Sequence, residues 1–165
     1  MIKLVIRFCI SAGSLWRYGL YIVLLTSAVT KAADTPYPYL IGRGMSDITG
    51  PSYGIQMWGF GRNDQLTEGL HIRQRSRAFV IAQADEPTKR LVFVTADLGS
   101  IEHHITLAVI DQLEQRYGDT YSINNVILSA THTHAGPGGY WHSRTDLGLD
   151  GGFYPAHFAA IVKGI

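Results

Sequence analysis

Asn125-Val-Ile-Leu-Ser-Ala130-Thr131-His132-Thr133-His134-Ala-Gly-Pro-Gly-Gly139-Tyr140 decides how this chain is read. Its first residues form a short apolar run rich in β-branched side chains, the pattern of a buried strand. That strand delivers two histidines two residues apart and then breaks into a glycine- and proline-rich loop. Side chains two apart on an extended backbone share a face. The spacing therefore predicts that His132 and His134 project together from the carboxyl end of a core strand, beside a loop able to line a pocket. Such a pair suits a metal site, where neutral imidazole is the commonest ligand, or general acid/base chemistry.

Working upstream, Leu91 to Ala96 is another apolar strand, ending at Asp97-Leu98-Gly99. Ser100 is placed to cap a helix running to about Tyr117, where Gly118 stops it. Ile101, Ile105, Ala108, Val109 and Leu113 recur at helical spacing and make its apolar face. His103 and His104 fall off that stripe and read as surface residues. Strand, helix, strand is a βαβ unit with parallel strands and a right-handed crossover. Ligands in open α/β sheets bind at the carboxyl ends of strands, which is where Asp97 and His132 both lie. Asp97 has two readings of equal weight. It orients a histidine or helps to hold a metal, or it is a helix-start carboxylate favoured by the helix dipole.

The remaining segments fill out a mixed sheet. Ala78–Ala84 and Leu91–Ala96 are joined by a charged turn holding Pro87, so a hairpin is expected. His71, Arg73, Arg75 and Arg77 share one face of an extended segment and read as a solvated face with carboxylates opposite, rather than an anion site. Gly54 to Gly69 reads as irregular. Within it Met57-Trp-Gly-Phe-Gly61 reads on its own as a plug at the edge of the core, with the floor of a cleft as the alternative. Gly42-Arg43-Gly44 lacks the strand–glycine–helix setting of a dinucleotide fingerprint. Another helix is expected within Phe153–Ile165, and His142 reads as a loop residue.

Composition limits the alternatives. The 165 residues are 46% hydrophobic and 16% charged, which is globular and excludes disorder. The net charge of +1 hides a split. Residues 1–32 hold Lys3, Arg7, Arg17 and Lys31 and no acid, leaving ten basic and thirteen acidic residues in the body. A mildly acidic body excludes a nucleic-acid partner. Basic residues, then Leu20–Leu25, then Thr30-Lys-Ala32 read as a signal peptide over residues 1–32; the second apolar patch from Leu4 to Ile10 keeps a signal anchor open. The expected location is secreted or extracytoplasmic, with membrane association left open. Cys9 is the sole cysteine and lies in that segment, so no disulfide staples residues 33–165.

Five blocks carry a resemblance. Gly44-Met-Ser-Asp-Ile-Thr-Gly-Pro51, Met57-Trp-Gly-Phe60, Gly69-Leu-His-Ile-Arg-Gln-Arg-Ser-Arg-Ala-Phe79, Phe93-Val-Thr-Ala-Asp-Leu-Gly99 and Thr131–Tyr140 occur in the order seen in the neutral (non-lysosomal) ceramidases. The chain resembles that family over about residues 38–165, with Ala135 where the family usually has serine. The resemblance implies a zinc-dependent amidase (cofactor Zn2+) that cleaves ceramide to sphingosine and a fatty acid, with a membrane surface as the source of substrate. It implies that His132 is a zinc ligand and that His134 beside it is catalytic or contacts substrate. Gly59 and Phe60 would flank the substrate, with Asp97 a candidate behind the ligand. The family's other zinc ligands and its nucleophilic serine lie downstream of the matched blocks. Residues 33–165 are therefore expected to be the incomplete N-terminal portion of a larger α/β catalytic domain, inactive and poorly stable alone. Two other readings stay open: another metallohydrolase using the histidine pair with Asp97, and a non-catalytic remnant.

Overall fold

A computed structural model describes residues 37–141 and 152–165; the expected signal or anchor with Cys9, and His142, lie outside them. The elements in chain order are β1 (Tyr39–Asp47), β2 (Tyr53–Gln56), β3 (Leu66–Glu68), β4 (Arg75–Gln83), β5 (Arg90–Ala96), α1 (His103–Tyr117), a 3-10 turn at Gly118–Thr120, β6 (Val126–Ala130) and α2 (Pro155–Gly164). Four strands form one sheet in the order β1-β4-β5-β6. β1 and β5 run antiparallel to β4, whereas β6 runs parallel to β5. This is the expected mixed α/β sheet, with its βαβ unit running β5–α1–β6.

Alternation along the strands sorts the side chains. Val92 and Val94 of β5 and Val126 of β6 turn to one face, where Ile110 of α1 packs on them. Ala96 and Leu98 continue that layer toward Ile105 and Val109 of α1 and Ile161 and Val162 of α2. The opposite face carries Phe79, Phe93 and Ile127, which are paired in register across β4, β5 and β6 and stand 39%, 37% and 52% exposed.

Several boundaries differ from the sequence expectation, each for a local reason. α1 starts at His103, and its cap is Glu102, whose carboxylate accepts the His104 N–H at 3.1 Å. Ser100 is engaged elsewhere: its N–H donates to Tyr140 and its hydroxyl accepts from the Trp141 indole. Gly118 ends the helix at φ 59°, as expected of a glycine stop. β4 begins at Arg75, earlier than expected, because the Arg75 N–H donates to the Asp97 carboxylate and the Asp97 N–H donates to the Arg75 carbonyl. The segment read as irregular holds the antiparallel pair β2–β3, in which the Thr67 hydroxyl takes the Ile55 N–H and gives its own proton to the Ile55 carbonyl.

Candidate functional site

The two histidines do meet, though not through the strand pleat. β6 ends at Ala130, and His132 has φ 63°, the only non-glycine residue in the left-handed region among the described residues. The chain beyond the strand stays attached to the β5 side through Thr131 N–H to Ala96 O (2.9 Å) and Thr133 N–H to Leu98 O (3.2 Å). Between those anchors the backbone twists at His132. The result brings the imidazoles to a 4.7 Å centroid separation at 87°, with Nε2 facing Nε2 at 3.3 Å. Both side chains are exposed.

A carbonyl oxygen only accepts hydrogen bonds, and each ring places Nδ1 on one. His132 Nδ1–H donates to Gly99 O at 2.7 Å, and His134 Nδ1–H donates to Gly59 O at 3.0 Å. Each neutral ring then has its lone pair on Nε2, and the two lone pairs face each other. Such a pair can take a cation on one nitrogen or between both. Two nitrogens bound tetrahedrally at about 2.0–2.1 Å from one zinc lie roughly 3.3–3.4 Å apart, so the donor set fits that metal. Among the described residues, no group of three His, Cys, Asp or Glu side chains completes a metal site.

The aromatic loop forms a wall of this site. Trp58 N–H donates to Gly136 O and Gly138 N–H donates to Gln56 O, clipping the Met57–Gly61 loop onto the loop that follows the histidines. The Trp58 ring lies 5.4 Å from His132 and 5.2 Å from His134. Gly59, expected near substrate, meets His134 through its carbonyl, and Phe60 beside it is 40% exposed. Trp58 also packs against the hydrophobic core, so the loop plugs the core edge and meets the histidines with the same ring.

Asp97 needs correction on both of its readings. Its carboxylate takes Arg77 at 2.9 and 3.2 Å and the Arg75 N–H at 2.9 Å, and among the described residues it hydrogen-bonds neither a histidine nor the start of the helix. The backbone carbonyl of Gly99, two residues on, does the orienting that was expected of it. Arginines of the basic stripe do find carboxylates: Arg77 pairs with Asp97 and Arg73 with Asp47. Hydrogen bonds from Thr49 hold the Asp47 carboxyl below its ordinary range, with Arg73 and Arg75 adding to the effect. Beside this cluster lies a cavity of about 420 Å³, lined by Leu70, Ile72, Arg77, Thr131, Thr133 and Pro137 among others. Thr131, Thr133 and Ala135–Pro137 line it, while His132 and His134 turn toward Trp58.

Residues 39–165 match the family model described as neutral/alkaline non-lysosomal ceramidase, N-terminal. The chain belongs to this ceramidase family. A neutral ceramidase of Oryza sativa subsp. japonica is 41% identical over 146 residues, covering 88% of this chain and 18% of the relative. A neutral ceramidase of Pseudomonas aeruginosa is 43% identical over 145 residues, covering 87% and 21%. The solved structure titled "Ceramidase complexed with C2" superposes with a TM-score of 0.72 at 45% identity over 78% of this chain and 20% of that one. The chain thus spans about a fifth of the length of these ceramidase relatives, and its sheet corresponds to the N-terminal part of a larger domain.

Proposed function

We propose that this chain supplies the N-terminal part of a zinc-dependent amidase that hydrolyses the amide bond of ceramide to sphingosine and a fatty acid. The observation that carries the reading is the convergence of two lone pairs at 3.3 Å, each ring fixed in one tautomer by a backbone carbonyl. His132 is the zinc ligand and His134 the catalytic neighbour. Zinc, when bound, polarises a substrate carbonyl and makes bound water acidic near neutral pH. The rest is done by side chains and backbone. Gly99 O aims His132, Gly59 O aims His134, the Trp58 ring packs beside both imidazoles, and Gly59 and Phe60 border the approach of substrate. His134 Nε2, held as an acceptor, is placed to take or return a proton near the scissile bond. The enzyme works outside the cytoplasm, directed there by residues 1–32, and takes its lipid from a membrane surface. Residues 37–165 hold one corner of the zinc site and are inactive alone.

The 3.3 Å spacing also favours a second reading, in which both histidines are ligands. One experiment separates the two. Residues 39–165 are grafted in place of the matching segment of the Pseudomonas aeruginosa relative, and zinc content and hydrolysis of a fluorescent ceramide are measured. The expected outcome is zinc-dependent hydrolysis, with zinc and activity both lost in His132→Ala. In His134→Ala zinc stays while turnover falls by about 10²–10⁴-fold, the range of general acid–base catalysis. Loss of zinc in His134→Ala would establish the two-ligand reading. A zinc-free graft that cleaves ceramide would end both.

A further inference from the structure

We propose that Tyr140 is a positioning residue that holds His132 ready for its metal, acting through the peptide unit between Gly99 and Ser100. This deepens the reading of His132 as a zinc ligand and rests on it. Tyr140 has no exposed surface and sits in the core with Ala96, Leu98 and Ile105. Its ring meets His157 of α2 edge-on at 5.5 Å and 88°. The phenol oxygen accepts the Gly99 N–H at 3.1 Å and the Ser100 N–H at 3.2 Å.

The Ser100 N–H and the Gly99 carbonyl belong to one peptide unit. In a trans peptide the two point in opposite directions from a rigid plane. Tyr140 grips one end of that plane, and His132 Nδ1–H donates to the other end at 2.7 Å. A hydrogen bond at one end of a peptide strengthens the bond at the other through polarisation. The phenol thus fixes both where the Gly99 carbonyl points and how strongly it accepts. That carbonyl in turn fixes the His132 tautomer and leaves the Nε2 lone pair for a cation. Two neighbours tighten the arrangement. The Trp141 indole N–H donates to Ser100 Oγ at 3.2 Å, and a side chain at Gly99 would overlap the Trp58 ring. His134 is oriented by Gly59 O instead; because its Nε2 faces that of His132 at 3.3 Å its signals can move with His132, and only its tautomer serves as an internal control.

The test uses the graft of residues 39–165 into the Pseudomonas aeruginosa relative, labelled with 15N in histidine, as the wild-type graft, Tyr140→Phe, and Val162→Ala as a core variant off the path. Long-range 15N–1H spectra report each tautomer, and a zinc titration against a chromophoric chelator reports affinity. In Tyr140→Phe we expect a several-fold rise in the Nε2–H form of His132 with His134 unchanged, and a fall in zinc affinity of about 10–100-fold, the usual effect of losing an outer-shell partner. Val162→Ala is expected to leave tautomers and affinity as in wild type. An unchanged His132 tautomer in Tyr140→Phe, or equal shifts in both histidines and in Val162→Ala, would overturn the positioning role. If wild type takes up no zinc while the His132 tautomer still responds, the metal reading falls and the Tyr140 linkage stands.

Discussion

His132 occupies φ 63°, a region that costs a non-glycine residue about 1–3 kcal/mol, and such strain gathers at functional sites. Its neighbours explain how it persists: Thr131 and Thr133 are pinned to the β5 side, and the ring is tied to Gly99 O. Gly99 is the tightest point of this contact network. Replacing it by alanine forces Trp58 off the histidines, and Gly99→Ala is expected to destabilise by about 1–3 kcal/mol, as overpacking does. Urea denaturation measures the loss, and tryptophan fluorescence should shift in the native baseline; an unchanged midpoint and spectrum would refute the account. The histidine pair was legible from spacing alone. Its geometry was not, because the twist at His132 depends on hydrogen bonds to residues more than thirty positions earlier. Asp97 misled for a different reason: the expected hairpin brings both Arg77 and the end of β5 together, but chain order does not say that the arginine rather than a histidine takes the carboxylate.

At the scale of elements, the helices and the hairpin were readable because their signals are local: apolar periodicity in α1, Gly118 at its end, a charged turn between β4 and β5. The start of α1 was displaced because Ser100 is drawn into the site and Glu102 takes over the cap. Glu102→Ala is accordingly expected to cost roughly 0.5–2 kcal/mol in thermal or urea unfolding, the range for losing a helix cap. Glu102→Gln keeps an acceptor and should cost less; equal losses would argue against capping. α2 carries a different sensitivity. His157 is wholly buried, donates Nδ1–H to Gly138 O at 2.8 Å and leaves Nε2 without a partner among the described residues. Burial holds its pKa below the ordinary 6.5, so the folded chain resists a proton that the unfolded chain accepts. This contribution to stability is full above about pH 6.5 and declines as pH falls below it toward the folded-state value. His157→Asn, which keeps a donor near Nδ1, should be less stable at pH 7.5 yet show a shallower decline in Tm from pH 7 to 5. A parallel decline in the two proteins would remove His157 as the cause. Asp47, whose pKa is lowered, acts in a separate and more acid window, losing its contribution as pH falls below 3.8.

For the molecule as a whole, one face of the sheet is covered by α1 and α2 and the other presents aligned apolar side chains. Parallel pairs such as β5–β6 usually have both faces covered, and contiguous exposed apolar surface drives association. Phe79, Phe93 and Ile127 sit side by side in register, with Ile81 and Leu91 paired next to them and Leu91 also exposed. With no cysteine in residues 33–165, packing alone holds this body together. The chain on its own is therefore expected to self-associate at micromolar concentration and to bind a hydrophobic dye. Phe93→Lys places a charge at the centre of the row while leaving Val92 and Val94 on the helix-covered face. It should lower the mass seen by light scattering and the dye signal together, without changing the far-ultraviolet circular dichroism. A wild-type chain that stays monomeric and leaves the dye dark would show that the exposed face is tolerated. The His132–His134 pair, which rests on backbone carbonyls on the far side of the loop, should keep its tautomers in Phe93→Lys. Dependence of those tautomers on Phe93 would mean that the site and the exposed face are one cooperative structure rather than two.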